Sequence, residues 1–76
     1  MEEQINQIMA DILGLDASKI DANAAMDNTE TWDSVNHINL CLTLEQEFGI
    51  QLEVEEMEEM ITQRDVVRVV QDKMAG

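Results

Sequence analysis

Between Val35 and Phe48 apolar side chains recur on two helical stripes, and this stretch constrains the fold more than any other. Leu40, Leu44 and Phe48 fall at i, i+4 and i+8, with Cys41 beside them. Val35, Ile38 and Leu42 fall at i, i+3 and i+7. Both spacings belong to a helix and neither to a strand. One stripe suffices to dock a helix on a small core. The second is either left open as a contact surface or covered because the helix sits centrally among three others. Gly49 is the stop signal, so this helix runs from near Asp33 to Phe48.

The flanking segments read the same way. Ile5, Ile8, Met9 and Ile12 lie on one face of a helix over Glu3–Leu13. Glu2 and Glu3 favour its positive end, and Gly14 ends it with Leu15 folding back. From Asp16 to Thr31 no period is sustained, so a long loop is expected, with a single turn at Asp16–Lys19 and with Ile20 and Met26 pinned to the core. Ile50, Leu52 and Val54 alternate with polar residues without an evident partner strand, which predicts an extended connector. A short helical turn over Glu55–Met60 follows, with Met57, Met60 and Ile61 inward. Thr62 and Asp65 form a variant capping box for a last helix over Gln63–Met74, with Val66, Val67, Val70 and Met74 as its buried face. The valine-rich run has strand propensity. Arg68 in its middle and the cap ahead of it favour helix. The expectation is a single all-α domain over residues 1–76, a four-helix bundle with a long first loop and a short third helix.

Charge narrows the function classes. The formal net charge is -13, from 17 acids against Lys19, Arg64, Arg68 and Lys73. No cation lies between Lys19 and Arg64, so the middle of the chain is uniformly negative. Nucleic acid and anionic membrane surfaces are excluded as partners, because both require basic side chains. The field attracts basic protein surfaces instead. A hydrophobic content of 45% argues against disorder. Cys41 is the only cysteine, which excludes an internal disulfide and fits a small core residue. No leader or membrane-length apolar run is evident, so a free-standing, monomeric, cytoplasmic protein is expected.

Ser34 stands at the start of the two-striped helix, among N–H groups without helical partners and in the positive end of the dipole. Such a place holds a phosphate ester well. A chain this small and acidic has no room for a reaction pocket, so Ser34 reads as a residue modified by another enzyme. Its bland role is a helix cap, and Asp33 ahead of it also fits an N-cap. No catalytic and no metal-ligating residue is assigned. His37 lies one turn after Ser34, and a Ser–His pair can suggest nucleophilic catalysis. Without an enclosed site it reads as a surface histidine near a phosphate. Trp32 reads as a lid over the helix start, packing on loop and core. A small acidic calcium-binding regulator is the rival of another class. The run Asp27-x-Thr29-x-Thr31 lacks the glycine needed where Trp32 stands and the glutamate needed where Ile38 stands.

Asp33-Ser34-Val35, followed by Ile38, Leu40, Leu44-Glu45 and Glu47-Phe48-Gly49-Ile50, resembles an acyl carrier protein. The Thr62-x-x-Asp65 helix start and the short acidic third helix fit the same family, and the resemblance covers nearly the whole chain. It implies that Ser34 carries 4'-phosphopantetheine, installed from coenzyme A by a Mg-dependent phosphopantetheinyl transferase. Asp33 would assist that enzyme and its metal, and Val35, in place of the usual leucine, would keep an apolar contact beside the arm. The arm's thiol would hold acyl groups as thioesters for acyltransferases, ketosynthases or other acyl-processing enzymes. Asp33, Ile38, Leu42, Glu45, Glu47, Glu55 and Glu58 would form the docking surface for their basic patches. Asn36, His37 and Asn39 stand where the fatty-acid-synthesis version commonly has Asp, Thr and Glu. That departure and Trp32 fit a carrier of a polyketide or other specialised pathway. A carrier of aminoacyl or peptidyl groups shares the same serine and stays open.

Overall fold

The computed structural model describes residues 1–75. Four α-helices follow in order: α1 (Glu2–Leu13), α2 (Ser34–Phe48), α3 (Val54–Glu59) and α4 (Gln63–Ala75), with a 3-10 turn at Ala17–Lys19 in the first connection. α1 packs on α2 and α4, and α2 also meets α4. The core between them is built from Ile5, Met9, Leu13, Leu40, Leu44, Val66 and Val70, all buried.

Both longer N-terminal helices stop by the same device. Gly14 and Gly49 adopt left-handed φ values of 69° and 63°. The next residue then folds back, with the Leu15 N–H donating to Ala10 O at 3.0 Å and the Ile50 N–H to Glu45 O at 3.2 Å. A side chain at either glycine would meet no atom but would strain the backbone, by about 1–2 kcal/mol.

The first loop is pinned rather than free. The Asn28 side chain accepts from the Ala25 N–H and donates to Asn23 O, both at 2.9 Å. Ala25 and Thr62 form an isolated antiparallel bridge. The N–H groups of Gln63 and Met26 donate to Ala24 O and Ile61 O, at 2.8 and 2.9 Å. These bonds fasten the loop to the start of α4 and carry Ile20, Ala24, Ala25 and Trp32 into the core. Met26 is half-buried against it.

α4 starts at a reciprocal cap. Asp65 N–H donates to Thr62 Oγ1 at 3.0 Å, and Thr62 N–H to Asp65 Oδ2 at 3.3 Å. α3 has a cap of the same type, with Glu53 and Glu56 satisfying each other's backbone N–H groups. That box starts α3 at Val54, one residue earlier than its apolar pattern suggests. Gln63 is buried because its Nε2 donates to Glu2 Oε2 and Asn6 Oδ1, at 3.0 and 2.8 Å, tying α4 to α1.

Two expected core positions need correction. Ile61 and Met74 are 50% and 49% exposed, and Val69 is buried in their place. Ile61 uses its backbone carbonyl, not its side chain, to hold the loop. Met74 continues the Val66–Val70 line but falls in the last turn of α4. Val69 lies three residues after Val66, on the same packed face of a helix of 3.6-residue period. Met57 is only half-buried, and α3 buries none of its own side chains.

Candidate functional site

The start of α2 is set by Asp33, which adopts an extended conformation and accepts the Asn36 N–H on Oδ1 at 2.9 Å. The first helical bond runs from the His37 N–H to Asp33 O at 2.8 Å. The N–H groups of Ser34 and Val35 therefore lie ahead of the helical ladder, at its positive end. Asn36 secures the turn from the other side by donating from Nδ2 to Thr31 O at 2.8 Å. Asp33 and Ser34 are both exposed. The hydroxyl thus stands on a firmly capped turn with open access.

The two stripes of α2 divide cleanly. Leu40, Cys41 and Leu44 are buried, and Phe48 packs partly against the core. Val35, Ile38 and Leu42 are 70%, 59% and 52% exposed, so the second stripe is an open apolar face. Val54 and Ile61 add further exposed apolar surface. Sequence periodicity placed Ile61 inward and Val54 in an extended connector, and the structure exposes both.

The acids fall into two groups. Glu47, Glu55 and Glu58 are exposed. Glu45 is half-buried and its Oε2 accepts the Leu52 N–H at 2.9 Å, so it also closes the turn after α2. Arg68 and Lys73 on α4 pair with Glu59 and Glu56 on α3, at 3.7 and 3.0 Å. Glu56 is held below the ordinary carboxylate range by the Glu53 backbone N–H and by the Lys73 ammonium. Burial works against the charge on Asp65, but hydrogen bonds from Thr62 and Arg68 outweigh it and keep that carboxyl low as well.

Trp32 packs on the core as expected, and His37 differs from its expected role. Trp32 is 1% exposed and packs into the core ahead of the helix start. His37 is half-buried, and its ring is engaged with Trp32 Nε1 at 3.1 Å and Met57 O at 2.8 Å. It is not a surface group beside a phosphate, because the buried indole N–H requires an acceptor and the imidazole supplies it. With both ring nitrogens taken, Ser34 has no imidazole base at hand. The Cys41 thiol is pushed up to about 11, by burial first and then by the charge of Glu45. An open hollow of about 460 Å³ lies along the first loop, lined by residues such as Leu15, Lys19 and Thr29, and does not include Ser34. Among the described residues, no group of three or more His, Cys, Asp or Glu side chains gathers as a metal site. No described helix is long and apolar enough to cross a membrane.

Comparison with known proteins identifies this architecture. The family described as "Phosphopantetheine attachment site" matches residues 3–70. The chain belongs to the acyl carrier protein family. It is 33% identical over 74 residues to an acyl carrier protein of Thermosynechococcus vestitus, covering 97% of this chain and 91% of that one. It is 28% identical to an acyl carrier protein of Petrotoga mobilis, covering 95% and 85%. The solution structure of a holo acyl carrier protein from Geobacter metallireducens superposes with a TM-score of 0.86, at 22% identity, over 97% of this chain and 85% of that one. The expected four-helix carrier fold is therefore the observed one. As an acyl carrier protein, the chain is a carrier and not a catalyst, and its cofactor is covalently attached 4'-phosphopantetheine. Carriers of this family are served by phosphopantetheinyl transferases and serve acyl-processing enzymes. The residues at the start of α2 fit such a group: an exposed hydroxyl, free first-turn amides for a phosphate, and apolar Val35 beside it.

Proposed function

We propose that Ser34 carries the 4'-phosphopantetheine arm and that residues 1–76 act as one monomeric, cytoplasmic carrier domain in a polyketide or other specialised pathway. The observation that carries the reading is the exposure of Ser34 at the first position of α2, directly after the Asp33 cap. A phosphodiester there lies in the positive end of the helix, where the amides of Ser34 and Val35 precede the ladder. The transferase approaches along Asp33, and Val35 flanks the arm on its apolar side. A tether of fixed length keeps the thioester at high effective concentration for each partner in turn.

Docking falls to the open stripe of α2, with Ile38 and Leu42 as apolar contacts and Glu45, Glu47, Glu55 and Glu58 facing basic partner patches. Asn36, His37 and Asn39 make the first turns of α2 less negative than in the fatty-acid-synthesis version of the family, which supports a dedicated set of partners. Mass analysis of the natively isolated protein tests both levels. A peptide containing Ser34 with the arm and a thioester-bound polyketide-type acyl group supports the reading. An arm on another residue removes the site, an aminoacyl load replaces the cargo class, and an ordinary saturated fatty acyl load removes the specialised pathway.

A further inference from the structure

The His37 imidazole is defined by its partners. The Trp32 indole nitrogen can only donate, so Nδ1, 3.1 Å away, must present its lone pair. The Met57 carbonyl can only accept, so Nε2, 2.8 Å away, must carry the proton. A neutral imidazole in the Nε2–H form satisfies both bonds, and either other form loses the bond from Trp32. The Cys41 sulfur, 3.9 Å from Nε2, brings no charge of its own while its thiol stays protonated.

These partners belong to different elements. Trp32 is buried and directly precedes the Asp33–Ser34 turn. Its N–H donates to Thr29 O at 2.9 Å, which anchors it in the first loop. Met57 lies in α3, a six-residue helix with no buried side chain of its own. Only the half-buried Met57 and the buried Met60 that follows the helix hold α3 to the core by apolar contact, so polar ties add to its anchorage. Two ion pairs reach it from α4, and His37 reaches it from α2. The tilted pair of rings, with centroids 6.1 Å apart, completes a bridge from first loop to α2 to α3.

We propose that His37 is a positioning residue that locks the turn bearing Ser34 to α3, so that the exposed α2 stripe and the α3 acids meet a partner as one preorganised surface. The proposal rests on the reading of Ser34 as the loaded residue. Losing the lock leaves the chemistry of loading intact but makes binding order a looser surface. Such a change raises KM and spares kcat.

Three variants separate the two bonds. His37→Asn keeps an acceptor near the Nδ1 position for Trp32 but cannot reach Met57. His37→Gln keeps a donor near the Nε2 position for Met57 but abandons Trp32. His37→Phe keeps bulk and removes both. In nitrogen-15-labelled protein without the arm, NMR couplings of the His37 ring are expected to show the Nε2–H tautomer at neutral pH, with the Trp32 indole proton protected from exchange. Loading by a phosphopantetheinyl transferase with coenzyme A is then measured at varied carrier concentration. His37→Phe is expected to raise KM about three- to tenfold, the scale of one net hydrogen bond, with kcat unchanged and with partial effects in the other two. A Nδ1–H tautomer or a freely exchanging indole proton overturns the proposal. So does an unchanged KM in folded His37→Phe, or in both other variants if His37→Phe does not fold. Failure of the wild-type protein to load counts against the reading of Ser34, and the NMR result still decides the lock.

Discussion

Glu45 Oε2 accepts the backbone N–H of Leu52 at 2.9 Å, joining the last turn of α2 to the connector that leads into α3. A residue read from the sequence as a docking acid thus also has a structural duty. Glu45→Ala leaves the half-buried amide without its acceptor and is expected to cost about 1 kcal/mol in urea unfolding. Glu45→Gln keeps an acceptor, so most of that stability returns while the charge is lost. Equal destabilisation by the two variants would show that the hydrogen bond carries no stability.

The exposed acids behave differently. Reversing Glu47, Glu55 or Glu58 to lysine is expected to leave the unfolding midpoint nearly unchanged. Each reversal weakens binding to a basic partner, with a loss of about 0.2–1 kcal/mol per exposed pair removed. The loss shrinks as salt is added, since exposed pairs are screened. Titration calorimetry with the transferase at two salt concentrations checks it. Salt-independent binding in the wild type would remove charge from the docking account.

Cys41 supplies a chemical contrast with the arm. Its buried thiol, pushed up to about 11, holds little thiolate at neutral pH and is shielded from reagents. In the native protein without the arm, a disulfide reagent is expected to react slowly, and denaturant is expected to release one fast-reacting thiol. Loading adds a second thiol that reacts at once without denaturant. A fast native thiol before loading would contradict the packing around Cys41.

Acid should weaken the α3–α4 end. Glu56 and Asp65 have ordinary values of 4.5 and 3.8 and are held lower in the folded protein. A group that binds its proton less tightly when folded stabilises the fold above its unfolded value. That stabilisation drains away as pH falls through the lower folded value. The melting temperatures of Glu56→Gln and Asp65→Asn are therefore expected below that of the wild type at neutral pH. The gaps close on acidification below the folded values. Gaps that persist in strong acid would assign the effect to packing instead.

Helix periods, the glycine stops at Gly14 and Gly49 and the Thr62–Asp65 cap were legible because each depends on residues a few positions apart. The capped turn ahead of Ser34 was legible for the same reason. Which α2 stripe stays open was not, since Leu40–Leu44 and Val35–Leu42 satisfy the helical period equally. Only the packing of α1 and α4 on one face decides it. The Glu53–Glu56 box was hidden in a run of glutamates that all look alike. The Trp32–His37 bond and the Ala25–Thr62 bridge depend on where the first loop lands, which no local pattern states. The buried Gln63 is the same case, because its partners Glu2 and Asn6 lie at the other end of the chain.

The central claim is that the Ser34 hydroxyl is the point of attachment. Intact-protein mass spectrometry after incubation with coenzyme A and a broad-specificity phosphopantetheinyl transferase tests it most directly. The wild-type protein is expected to gain one phosphopantetheine unit and Ser34→Ala none, with both folded by circular dichroism. An unmodified wild type, or an equal gain in Ser34→Ala, would contradict the account.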